Sequence, residues 1–201
     1  MKKADVLVVG CGALGAGIAY NIAKLGRKAI AVEARYFGYG TTGRDIGVVR
    51  ERHRDPDVAK LASEGLRLHE ELPSELSSNT LLRQDGVLTV ALTGDEAEAL
   101  KQEFKSYTTG RFRELSREEI RGRYPYIRAD EVELCYLSPR EGVVHPLAVL
   151  WGYLDALRKL GGEAIKPAEV KAIRPEGGEL AVETTLGEYR AGKVVIAAGY
   201  R

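Results

Sequence analysis

Six residues near the amino terminus, Gly10-Cys11-Gly12-Ala13-Leu14-Gly15, constrain the fold of this chain more than any other stretch. They follow Ala4–Val9, a nearly continuous apolar run of the kind shown by a strand covered on both faces. They open Ala13–Leu25, which places Leu14, Ile18, Ile22 and Leu25 at helical spacing and stops at Gly26. Lys28–Glu33 supplies a second buried strand, Ala29-Ile30-Ala31-Val32. Strand, helix and strand in that order make a βαβ unit, whose crossover is right-handed almost without exception.

The glycine spacing carries chemistry as well as shape. Gly10 permits the tight turn, Gly12 lets backbone approach a pyrophosphate, and Gly15 lets helix and strand pack closely. The free N–H groups and the dipole of the helix then favour phosphate. Glu33, eighteen positions beyond Gly15, can accept hydrogen bonds from a ribose diol and would repel a 2′-phosphate, which disfavours NADP. The plainer reading is a glycine-rich turn that only packs a helix on a sheet; strand before, helix after and acid at the next strand end favour dinucleotide binding. Cys11 reads as a small buried side chain inside the loop.

Composition narrows the class. Hydrophobic residues make up 44% and charged ones 29%, enough to bury a core in a 201-residue chain. Thirty Lys+Arg against twenty-nine Asp+Glu gives +1, which argues against a dedicated nucleic-acid or anionic-membrane binder. The two cysteines, Cys11 and Cys135, form no CxxC pair, and three scattered histidines make no metal site. These features predict a soluble protein of a reducing compartment, the cytoplasm. Lys2 and Lys3 before an apolar run imitate a secretory signal, but Asp5 interrupts it and the run is too short to span a bilayer. Few amide side chains (Asn21, Asn79, Gln84, Gln102), with abundant Lys, Arg and Glu, resemble a thermophile surface.

Beyond the first unit, Tyr36–Asp45 reads as a glycine-rich, ligand-facing loop. Asp57–Leu76, Asp95–Tyr107 and a short segment from Ser116, with Glu119 at capping-box spacing, read as helices. Leu81–Leu92 reads as strand–turn–strand around Gln84-Asp85-Gly86, and Glu133–Leu137 as a strand. Pro146–Leu160 is an amphipathic helix with Pro at its start. Glu163–Ile165, Glu169–Arg174, Leu180–Thr184 and Tyr189–Ala191 read as short strands, and Lys193–Ala197 as a last buried one. A buried parallel strand needs covered faces, so the expectation is that another chain or further sequence completes the fold.

The order of GxGxxG, Glu33, Gly40-Thr-Thr-Gly-Arg-Asp-Ile-Gly-Val-Val-Arg50, Gly142-Val-Val-His-Pro146 and Val194-Val-Ile-Ala-Ala-Gly199 resembles the D-amino-acid-oxidase-type FAD-dependent oxidoreductases. Within them it is most similar to the branch of sarcosine oxidase β-subunits and dye-linked L-proline dehydrogenase β-subunits. The resemblance implies an α/β fold. A Rossmann-like FAD-binding domain, with a central parallel sheet and a small β-meander (residues 1–52 and 140–201), would be interrupted by a partial α+β substrate domain (53–139).

It also implies roles for residues. Gly10, Gly12, Ala13, Leu14, Gly15 and Glu33 would hold the ADP half of FAD, with Ala34 and Arg35 near the adenosine. Thr41, Thr42, Gly43 and Arg44 would follow the pyrophosphate, Val170 would meet adenine through its backbone, and Ala198 and Gly199 would close on the ribityl chain. Arg50 matches an arginine near the flavin that can anchor a substrate carboxylate, a task suited to a guanidinium fork; its plain reading is a solvated charge. His145 lies where related enzymes carry a second flavin, FMN, at a subunit interface; its plain reading is a histidine satisfied at a helix start.

The implied function is oxidation of an amino acid or secondary amine by hydride transfer from Cα to flavin N5. A partner subunit, or a C-terminal half of the kind related chains carry, is the implied partner beside the small-molecule substrate. Two other readings are a non-catalytic dinucleotide-binding subunit of a hetero-oligomer and an NAD-dependent dehydrogenase.

Overall fold

A computed structural model describes residues 2–200. The chain runs β1 (Lys2–Val9), α1 (Ala13–Lys24), β2 (Ala29–Val32), β3 (Val48–Val49), α2 (Pro56–Leu76), β4 (Val87–Ala91), α3 (Gly94–Lys105) and β5 (Arg113–Glu114). It continues through α4 (Arg117–Arg123), β6 (Leu134–Ser138), β7 (Gly142–Val143), α5 (Pro146–Lys159), β8 (Glu163–Ile165), β9 (Val170–Glu176), β10 (Glu179–Thr184) and β11 (Gly187–Ile196). Short 3-10 turns lie at Thr41–Arg44 and Ala129–Glu131. Among the described residues no helix is long and apolar enough to cross a membrane.

Two compact units emerge. The first comprises the chain through Ile46, Leu72–Leu81 and everything from His145; the second comprises Gly47–Glu71 and Leu82–Val144.

The first unit is built on a six-stranded sheet ordered β8-β2-β1-β11-β10-β9. Its first four strands are parallel and its last two form an antiparallel meander. β2 is buried at every position, which is why its sequence shows no polar alternation. Leu7, Ile30, Val32, Val182, Tyr189 and Ala191 form the core on one face. This is the mixed α/β architecture with a parallel-rich central sheet that the residue patterns predict.

Three local expectations change. The large apolar stripe that signals α1 is not its buried face: Gly15, Ala16, Ala19, Tyr20 and Ala23 are buried, while Leu14 and Leu25 are each 79% exposed. Small residues let a helix lie close to a sheet, so they occupy the contact. Tyr189–Ala191 and Lys193–Ala197 are one continuous strand, β11, not two. Gly192 bridges them because a Cβ there would come within 3.2 Å of the Asp5 carbonyl oxygen on β1. Of the pair of strands expected over Leu81–Leu92, only β4 is a strand; the first arm makes a single bridge, Arg83 with Val143. Gly86, at φ +89°, turns the chain there and donates its N–H to the Glu141 carbonyl oxygen at 3.1 Å.

The second unit has a three-stranded antiparallel sheet, β4-β6-β5, and the short pair β3-β7. Capping boxes start α3 (Thr93 with Glu96) and α4 (Ser116 with Glu119), the latter as its spacing predicts.

Candidate functional site: the glycine turn and its cleft

The turn between β1 and α1 is dictated by contacts that leave no room for side chains. A Cβ at Gly10, whose φ is +94°, would lie 2.4 Å from the Ala197 carbonyl oxygen; one at Gly15 would lie 2.0 Å from the Gly10 carbonyl oxygen. Gly10 donates its N–H to Val32 at 2.8 Å, and Val9 accepts from Ala197 at 2.7 Å, so β1, β2 and β11 converge on the turn. The first intrahelical bond of α1 runs from Ala16 N–H to Gly12 at 2.9 Å. The N–H groups of Leu14 and Gly15 precede it and have no intrahelical acceptor, as in any anion-binding helix terminus.

Two side chains close on this turn. Glu33 accepts from the Cys11 N–H at 3.0 Å and from the Arg35 N–H at 3.0 Å, while its own backbone bonds Ile165 and Ala168 at 2.9 and 2.7 Å. Its carboxylate is thereby fixed at the end of β2, half-buried, facing the turn. Thr42 Oγ1 accepts from the Ala13 N–H at 3.0 Å, which docks the Thr41–Arg44 turn on the start of α1. That turn is held by the Arg44 guanidinium, which donates to the Tyr39 and Gly40 carbonyls at 2.8 Å each. Tyr39 lies between two guanidinium groups, Arg35 at 4.5 Å and Arg44 at 5.4 Å from its ring centroid. Burial, and then the Glu33 carboxylate, push the Cys11 thiol up to about 12, which keeps it protonated.

These elements enclose a cleft of about 360 Å³. Of the residues singled out from the sequence, Gly10, Gly12, Ala13, Leu14, Gly15, Glu33, Thr41, Thr42, Ala198 and Gly199 line it. Gly43 and Arg44 belong to the 3-10 turn and are exposed without lining the cleft, and Ala34 and Arg35 follow Glu33 as exposed residues. Val170 opens β9 and packs, half-buried, against the core of the sheet rather than lining the cleft. His145 is exposed and caps α5, its Nδ1 accepting from the Ala148 N–H at 3.3 Å. Tyr39, Asp45, Pro146 and Tyr200 also line the cleft and were not singled out. Tyr39 could have been found from its place inside the glycine-rich loop; Pro146 and Tyr200 arrive only through tertiary approach.

Arg50 belongs to the second unit, just after β3, and is exposed. It lines a separate cleft with Arg52, His53, Arg54, Glu103 and Tyr107. Arg54 pairs with Glu103 at 3.1 Å and Arg52 with the buried Glu141.

The cleft residues fit a dinucleotide: helix N–H groups for phosphate, a fixed carboxylate for a diol, and glycines where the backbone must be approached. Comparison with known proteins agrees. The β subunit of sarcosine oxidase from Rhodobacter capsulatus is 28% identical over 99% of this chain and 50% of its own length; that from Arthrobacter is 30% identical over 98% and 51%. Glycine oxidase from Geobacillus kaustophilus superposes with a TM-score of 0.90 at 23% identity, covering 99% of this chain and 56% of that one. L-proline dehydrogenase from P. horikoshii gives 0.87 at 23% identity, covering 98% and 53%. The chain thus spans about half the length of these relatives. Residues 5–201 match the family described as FAD dependent oxidoreductase, and the chain belongs to that family.

Proposed function

We propose that this chain is the FAD-binding part, with a portion of the substrate-facing part, of an oxidoreductase that acts on an amino acid or N-methyl amino acid. The observation that carries this reading is the Glu33 carboxylate held by the Cys11 N–H in the glycine turn that opens α1, in a chain whose family is FAD-dependent. In this reading the first unit is the flavin domain. Gly10–Gly15 and Thr41–Thr42 hold the pyrophosphate, Glu33 the adenosine ribose, and Ala198 and Gly199 the ribityl side. Bound FAD supplies the hydride acceptor. The chain's own part is orientation: Arg50 offers a bidentate fork to the substrate carboxylate. No protein base is needed where the amine arrives neutral.

Relatives twice as long suggest that further polypeptide completes the site. Two exposed apolar features support this. Leu14 and Leu25, the two ends of the apolar stripe of α1, are exposed, and among the described residues the second half of β11 pairs with β1 alone, with Ile196 63% exposed. The reading is tested by purifying the chain with FAD and recording its absorbance and flavin mass, then repeating this after fusion to the second half of a sarcosine oxidase β subunit. Weak flavin retention alone and tighter retention in the fusion are expected. Tight NADH binding without flavin would refute the reading, and FMN in the mass spectrum would direct attention to His145.

A further inference from the structure

The second unit contains a buried ionic assembly that the cofactor cleft does not explain. β3 pairs with β7 through Val48–Val143 and Val49–Gly142, which lays residues 50–52 alongside the turn that carries Arg140 and Glu141. Glu141 is 0% exposed, and its Oε1 accepts from the backbone N–H groups of Glu51 and Arg52 at 3.1 and 3.3 Å. Its other oxygen pairs with the Arg52 guanidinium. That guanidinium also donates to Ser138 at 2.6 Å and Thr89 at 3.2 Å, and lies 5.1 Å from the Phe104 ring centroid. Glu51, 3% exposed, faces the other way: it accepts from Arg140 at 3.0 Å and from the Arg111 N–H at 3.1 Å, while its carbonyl accepts from the Thr109 hydroxyl at 2.9 Å.

These bonds converge on two consecutive residues, Glu51 and Arg52, and Arg140 is held in turn by Glu70 at 2.9 and 3.0 Å. The Glu51 and Arg52 side chains are both buried, and their charged groups are committed to these partners. Among the described residues, the residue immediately before them, Arg50, is the one guanidinium of its cleft that no hydrogen bond or ion pair engages, since Arg54 is held by Glu103. A buried ion pair is a poor device for stability, because desolvation offsets its attraction, but it is a good device for fixing one geometry. A free guanidinium on a flexible stem binds a carboxylate poorly unless the backbone beneath it is held.

We propose that Glu141 is a positioning residue for Arg50. By clamping the Glu51 and Arg52 amides and the Arg52 side chain, it presents Arg50 as the single uncommitted cation of the cleft, in one place, for the carboxylate of the substrate. This rests on the reading of Arg50 as the carboxylate anchor.

Hydrogen exchange and Arg50 side-chain 15N relaxation, measured without ligand, test the clamp; N-methylglycine titration tests its use. In Glu141→Gln, amide exchange at Glu51 and Arg52 is expected to rise at least tenfold. Because an unpaired buried Arg52 can unfold this unit, the paired variant Arg52→Met with Glu141→Leu keeps an apolar core of similar volume. In that variant near-UV circular dichroism is expected to be retained, while the Arg50 Nε order parameter falls and N-methylglycine affinity drops at least tenfold. An Arg50 as ordered in the folded paired variant as in the parent overturns the proposal. N-methylglycine binding that survives Arg50→Ala overturns instead the anchor reading, and the exchange measurements still decide the clamp.

Discussion

At the scale of single residues, the candidate site depends on atoms whose replacements have predictable effects. Glu33 accepts two backbone hydrogen bonds and is the group proposed to take a ribose diol. Charge-assisted bonds of this kind contribute about 1.5–3 kcal/mol, so Glu33→Ala should weaken FAD binding by roughly 10- to 100-fold, measured by fluorescence titration. Glu33→Gln should lose less, since an acceptor remains. His69 offers a pH test. Burial lowers its pKa from the ordinary value of 6.5, and its Nδ1 is buried without a hydrogen-bond partner. The unfolded state therefore binds the proton more readily than the folded one. Stability is fully present above 6.5 and is lost as pH falls below that value toward the lowered one. His69→Leu should flatten that acid-side slope in denaturant titrations. The glycine fingerprint was legible because its reasons are local. The partners of Glu33 were half legible: an acid was expected there, but its bonds to Cys11 and Arg35 depend on how β2 meets the turn.

Among the elements, the helices and strands were found within a residue or two wherever periodicity or caps mark them, as in α4 and β8. Their buried faces were not always found. In α1 Leu14 and Leu25 point outward, while the buried face is made of small residues and Tyr20. Accordingly Leu14→Ser should change stability by less than about 0.5 kcal/mol, whereas Ala19→Leu, at a position 0% exposed, should cost about 1–3 kcal/mol by overpacking. Urea melts of both variants provide the comparison; equal losses would contradict the assigned face. The two-residue strands β3, β5 and β7 carry no sequence signal, because two residues have no period. They exist through pairing: β3 and β7 have only each other as full strand partners, and they set the place of Arg50.

At the level of the molecule, a ligand that binds the folded first unit should stabilise it by mass action. Trp151, the only tryptophan, lies in that unit, 5.9 Å from the Phe37 ring centroid. FAD at a hundredfold over its Kd should raise the transition reported by Trp151 fluorescence by about 2.7 kcal/mol; no rise would contradict binding in the unit that contains the cleft. The sequence by itself determined the βαβ start and the dinucleotide fingerprint, because each rests on residues close in the chain whose spacing is enforced by backbone sterics, and it determined the family through the order of short motifs along the chain. Only the tertiary structure decided which side of α1 is buried and that Pro146 and Tyr200 line the cleft. It alone showed that Glu51, Arg52 and Glu141 form a buried clamp rather than a solvated charge run. Those outcomes depend on residues up to about ninety positions apart meeting through strand pairing, a contact that no local spacing encodes.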